Sequence, residues 1–140
     1  MGNKQSMNKI NFEDVQYLQK YNKNLLIIST LPENQQTCLI KGTIDPVNEV
    51  KVINKLIGKE DITIVVYGKN CNDSTITAKY NSLINLGFSK TYIYSGGLFE
   101  WLCLQDIYGE ELFVTTTKEL DILKFKSESV FNTLLITDID

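Results

Sequence analysis

The stretch Ile62 to Thr75, ITIVVYGKNCNDST, constrains the fold more than any other part of the chain. Its apolar run Ile64 to Tyr67 is β-branched in the first three positions and has no polar alternation. That is the pattern of a strand covered on both faces, the habit of parallel sheets. A helical period opens at Ser74 and Thr75, with Ile76, Tyr80, Leu83 and Ile84 on one stripe and Gly87 just past its end. The loop between them, Gly68 to Asp73, gathers backbone N–H groups at a helix N-terminus, an arrangement suited to holding an anion or a thiolate.

The rest of the chain follows the same alternation of strand and helix. Asn11 is a cap for a helix with Phe12, Val15 and Leu18 on its inner stripe, and Asp14 stands at the favourable third position. A buried strand is expected at Leu25 to Ser29 and a short one at Leu39-Ile40. Asp45-Pro46 then supplies cap and first residue of a second helix. Its expected core face is Val47, Val50, Ile53, Leu56 and Ile57, stopped by Gly58. With strands at Ile62 to Tyr67 and Thr91 to Tyr94 and a helix from Ser74 to Leu86, two crossover units result. The expected fold class is α/β, a parallel β-sheet flanked by helices on both faces, with the Gly68 to Asp73 loop at the carboxyl ends of the strands, where such sheets place their ligand sites.

Downstream, Leu86 to Trp101 reads LGFSKTYIYSGGLFEW. Val65-Val66-Tyr67 before the loop, Gly87-Phe88 after the helix, the strand Tyr92-Ile93-Tyr94, then Gly96-Gly97 and Trp101, in this order and spacing, make the chain resemble a rhodanese-like domain. Upstream, Leu25 to Ser29 is similar to that family's first core strand, and Leu39-Ile40-Lys41-Gly42-Thr43-Ile44 to its "I-x-G-A-I" segment. The resemblance covers roughly residues 8–117. It implies a sulfurtransferase-type site in which a thiolate directly after Tyr67 accepts a sulfur atom, and loop N–H groups with a basic residue at the loop end hold the resulting persulfide.

Three positions depart from that pattern. The nucleophile position is Gly68, the loop end carries Asp73 in place of a base, and the family's "D-x-R" reads Ser29-Thr30-Leu31. The expected role is therefore a non-catalytic binding or regulatory module whose loop, Gly68, Lys69, Asn70, Asn72, Asp73 and Ser74, receives a protein partner or a small anion. The alternative catalytic residue is Cys71, three positions beyond Gly68. Near the helix N-terminus and Lys69 its thiolate would be favoured, against the opposing charge of Asp73. In that reading the protein is a sulfurtransferase or persulfide carrier, with N–H groups from Asn72 to Thr75 supporting the sulfur.

Composition narrows the chemistry. The 140 residues contain no histidine, so Ser-His-Asp and Cys-His arrangements are excluded within the chain. All fourteen basic residues are lysines, which removes bidentate arginine clamps for phosphate or sulfate. Three cysteines without a C-x-x-C pair argue against a zinc site or a disulfide framework, and no metal or cofactor is expected. Cys38 and Cys103 read as small core residues. The net charge of −3, with no basic block, gives no nucleic-acid footprint. No apolar run nears the roughly 20 residues of a membrane span, and a reducing, cytoplasmic setting is expected.

Both ends extend past the resemblance. Residues 1–7 are expected to be a flexible segment, and Met1-Gly2-Asn3-Lys4-Gln5-Ser6 matches the myristoylation pattern at Gly2. One acyl chain with Lys4 and Lys9 nearby gives weak, reversible membrane association, so a lipid-tethered interaction protein, peripheral to a membrane, is a further alternative. Residues 118–140 contain too many apolar side chains to leave in water. Leu120, Leu123 and Phe125, then Phe131, Leu134, Leu135 and Ile136, are expected to pack on the domain, the other reading being a partner-binding segment.

Overall fold

The computed structural model describes residues 7–131. Gly2, Leu134, Leu135 and Ile136 lie outside the described residues. The strands are β1 (Lys9–Ile10), β2 (Leu25–Ser29), β3 (Thr63–Tyr67) and β4 (Thr91–Tyr94), and the α-helices are α1 (Phe12–Tyr21), α2 (Glu49–Leu56), α3 (Thr75–Asn85) and α4 (Gly97–Tyr108). All strand pairings are parallel, in the spatial order β1-β4-β3-β2.

Alternation along β3 divides the core into two layers. Val65 and Tyr67, with Ile27 of β2, face a cluster that includes Val15 of α1 and Leu98, Trp101 and Leu102 of α4. Ile64 and Val66, with Ile28, face Ile53 of α2 and Ile76, Tyr80 and Leu83 of α3. Every residue of β3 is buried, as its continuous apolar run requires of a central parallel strand. α1 begins in a capping box: Asn11 Oδ1 accepts from the Asp14 N–H at 3.0 Å, and Asp14 Oδ2 accepts from the Asn11 N–H at 3.1 Å.

Several local expectations are corrected. Leu39-Ile40 is not a sheet strand; Ile40 makes a single antiparallel bridge to Thr115, while Thr43 bridges Ile27. Pro46–Asn48 is a 3₁₀ turn, capped by Asp45, that leads into α2. This reorients the expected apolar face: Ile53 is buried, but Val47 is 87% and Val50 71% exposed, and Ile57 is exposed too. Lys9–Ile10 was not anticipated, because two residues carry no period; pairing with Ile93 and Tyr94 makes them a strand.

After α4 the chain returns across the domain. Phe113 packs edge-on against Trp101 with ring centroids 5.1 Å apart, and Trp101 Nε1 donates to the Val114 carbonyl at 3.2 Å. Phe125, in a 3₁₀ turn at Ile122–Phe125, is 1% exposed and joins the α1/α4 layer. Leu123 is exposed, contrary to expectation, because so short a turn can bury only one side of itself, and Leu120, ahead of the turn, is exposed as well. Among the described residues no helix is long and apolar enough to cross a membrane.

Candidate functional site

β3 delivers the chain to Gly68 at the carboxyl edge of the sheet, between Thr30 after β2 and the N-terminus of α4. The loop and α4 are joined backbone to backbone: Leu98 N–H donates to the Gly68 carbonyl at 2.9 Å and Phe99 N–H to the Lys69 carbonyl at 2.8 Å. This close approach explains Gly97. Its φ is +68°, and a Cβ there would lie 2.7 Å from the Gly68 oxygen and 2.8 Å from the Asn70 nitrogen.

Within the loop the organising group is the Asp73 carboxylate. Oδ2 accepts from the Lys69 N–H at 2.9 Å, and Oδ1 accepts from the Thr75 N–H at 3.0 Å and from the Thr75 hydroxyl at 2.6 Å. Partial burial pushes the Asp73 carboxyl up, but the Thr75 hydroxyl, the two backbone N–H groups and the Lys69 charge outweigh it and hold the group below its usual range. Asp73 thus complements the helix N-terminus, and Ser74, exposed at the cap position of α3, makes no capping bond through its side chain. The same carboxylate closes the space above Gly68. A Cβ on Gly68 would overlap it, at 2.9 Å from Cγ, and would lie 2.9 Å from Thr30 Oγ1.

Asn70 organises the other side. Its side chain is buried; Nδ2 donates to the Phe125 carbonyl at 2.8 Å and Oδ1 accepts from the Asn72 N–H at 2.9 Å. The Asn70 carbonyl accepts from the Asp73 N–H at 3.2 Å, and Asn72 Nδ2 donates to Ser127 Oγ at 3.1 Å. The chain after Phe125 therefore borders the loop, and Lys126 and Glu128 share a cleft of about 590 Å³ with Lys69, Asn72 and Asp73.

All three thiols are free. Cys71 is exposed, with Sγ 3.8 Å from Asn72 Oδ1. The N–H groups of Asn72, Asp73 and Thr75 are bonded to Asn70 and Asp73 rather than directed at it. Cys38 is buried, its Sγ 3.3 Å from the Thr117 carbonyl. Cys103 is half-buried rather than a core residue; burial, together with Asp106 and Glu100, pushes its thiol up, away from the reactive thiolate. No cluster of metal-ligating side chains occurs among the described residues.

Sequence reasoning brought Gly68, Lys69, Asn70, Asn72, Asp73 and Ser74 to one loop but read Asp73 only as a hostile charge. The available signal was the run Asp73-Ser74-Thr75 ahead of an apolar helical period, a capping sequence in which a carboxylate is favourable. Thr30 and Phe125 were not linked to the loop, and nothing local could have linked them.

The comparisons agree with this architecture. A family model described as Rhodanese-like domain matches residues 24–103. A search of curated proteins found no match. Among solved structures, a Lactobacillus plantarum protein is 22% identical, with a TM-score of 0.57, covering 69% of this chain and 83% of its own. A Bacillus halodurans protein is 16% identical with a TM-score of 0.57, covering 73% and 74%. A protein from Anabaena is 19% identical with the same TM-score, covering 81% and 83%. At these identities the likeness concerns the fold.

Proposed function

The chain belongs to the rhodanese-like domain family, and we propose that within it this protein is a non-catalytic binding or regulatory module. The observation that carries the reading is the Asp73 carboxylate. It occupies the volume into which a side chain at position 68 would grow, and it takes the Lys69 and Thr75 N–H groups of the loop. A sulfurtransferase needs those donors free for a sulfur anion. Here an incoming thiosulfate or persulfide would have to compete with a carboxylate already tethered to the loop. For the same reason a protein partner suits the loop better than a small anion.

A second reading keeps the family's chemistry at Cys71, and its support is the exposure of that thiol. A persulfide there would stand outside the loop's N–H groups, with the Asn72 side-chain oxygen as its neighbour.

One experiment separates the two. The purified protein is incubated with thiosulfate and cyanide, thiocyanate is followed, and intact mass is recorded for a sulfur adduct of about 32 Da. The non-catalytic reading expects neither product. Thiocyanate formation, or an adduct that disappears in Cys71→Ser, would establish the second reading in its place.

A further inference from the structure

Beside the cleft at the loop, and sharing Thr30 and Thr75 with that cleft, lies an open groove of about 1060 Å³. It runs between the end of β2, the 3₁₀ turn at Pro46–Asn48 and the outer side of α3. Leu31 and Leu39 form a buried apolar floor, and Pro46, Val47 and Ala78 form its flanks. Val47, in the groove wall, is 87% exposed, and Val50, next in sequence to the lining residue Glu49, is 71% exposed. They are three positions apart, on the face of the helical segment that periodicity assigns to a core, and nothing among the described residues covers them.

The polar groups of the groove are unbalanced. Three carboxylates line it, Glu33, Asp45 and Glu49, against one ammonium, Lys79. Lys79 is already paired with Glu49, so Glu33 and Asp45 stand on the rim without a cationic partner among the described residues. The hydroxyls of Thr43 and Thr116 donate inward, to the carbonyls of Ile40 and Thr37. Gln36 Oε1, in the same wall, is buried without a donor. The groove therefore offers apolar surface and acceptors, and a complementary occupant brings apolar side chains and cationic donors.

We propose that this groove docks a short segment of a partner protein in which apolar side chains are interspersed with lysine or arginine. The proposal goes beyond the non-catalytic reading and holds whether or not Cys71 carries sulfur. An acidic or neutral apolar segment would leave Glu33 and Asp45 facing like charge or losing water uncompensated. A second copy of this chain is disfavoured for the same reason, since its own net charge is −3.

The test uses the full chain and two fluorescein-labelled peptides, KLKVKLK and ELEVELE, followed by anisotropy at low and physiological salt. The expected result is saturable binding of the lysine peptide alone, weakened by salt. The Glu33→Gln/Asp45→Asn double variant, which retains an acceptor at the cap, should raise its Kd roughly tenfold. Ala78→Arg, on an exposed helical position, should abolish it while circular dichroism stays unchanged. Equal binding of both peptides, no binding of either, or binding indifferent to these variants would overturn the proposal. Concentration-dependent self-association abolished by Ala78→Arg would overturn it in favour of a homodimer face. Failure here leaves the sulfur-transfer assay unaffected, and thiocyanate production would leave this proposal standing.

Discussion

The Asp73 carboxylate stands where the side chain of residue 68 would have to be, and glycine is the residue that leaves it room. Glycine at position 68 and the inward-turned acid at position 73 are therefore sterically linked. The two positions define the state of the site jointly.

Gly68→Cys alone should destabilise the protein by about 1–3 kcal/mol, because the new Cβ meets the ends of the Asp73 and Thr30 side chains and pushes the carboxylate off the Lys69 and Thr75 N–H groups. Gly68→Cys combined with Asp73→Gly removes the larger obstruction and frees the Lys69 and Thr75 N–H groups. The double variant should cost less than the sum of the two single changes and react with iodoacetamide at position 68 faster than the single variant does. Urea denaturation and alkylation rates check both statements; additive costs in the double variant would refute the steric account.

Acid should act on this loop through Asp73. Its carboxyl is held below the ordinary value of 3.8 in the folded state, so near that pH the unfolded chain binds more protons than the folded one. The stabilisation is fully present above the ordinary value and is lost as pH falls through the folded one. In Asp73→Asn this contribution is absent. The difference between wild-type and variant urea midpoints should be constant from neutrality to about pH 5 and shrink below it; a difference independent of pH would contradict the assignment.

Phe125→Ala should cost about 3–5 kcal/mol, the usual range for emptying a fully buried aromatic site. It should also loosen the loop, since the Phe125 carbonyl is the partner of the buried Asn70 amide. Hydrogen exchange at Asn72 and Asp73, measured under conditions where the variant remains folded, should accelerate more than exchange in β3.

Tyr67 anchors the segment after β2. Its hydroxyl accepts from the Ile40 N–H at 3.1 Å and lies 2.8 Å from Thr43 Oγ1, and burial, opposed by these hydrogen bonds, pushes its pKa up to about 12. It is thus protonated throughout the working range. Tyr67→Phe should cost about 1–3 kcal/mol by leaving the Ile40 N–H without a partner in the core, and an unchanged denaturation midpoint would show that this segment is held by other contacts.

Legibility in the sequence followed the range of the determining interactions. β2, β3, β4 and the helices α1 and α3 were readable because an apolar period, a capping residue or a terminal glycine sits inside each one. α2 misled: its period is real, but the 3₁₀ turn at Pro46 rotates Val47 and Val50 into the open. β1 was unreadable because its strand character comes from β4. At the site, the residues of the loop were identified by position, whereas the inward turn of Asp73 and the outward turn of Cys71 depend on bonds to Lys69, Thr75 and Asn70 that spacing does not encode.

The bond between Asn70 and Phe125 joins residues 55 positions apart, and Lys9 pairs with Ile93 at a still greater separation. During synthesis, which delivers the chain from its N-terminus, neither pairing can form when its first member leaves the ribosome. β1 waits for β4, and the loop waits for the segment that borders it. Until Phe125 emerges, the Asn70 side-chain N–H donates to water instead, so the nascent chain passes through an interval in which this surface is unfinished.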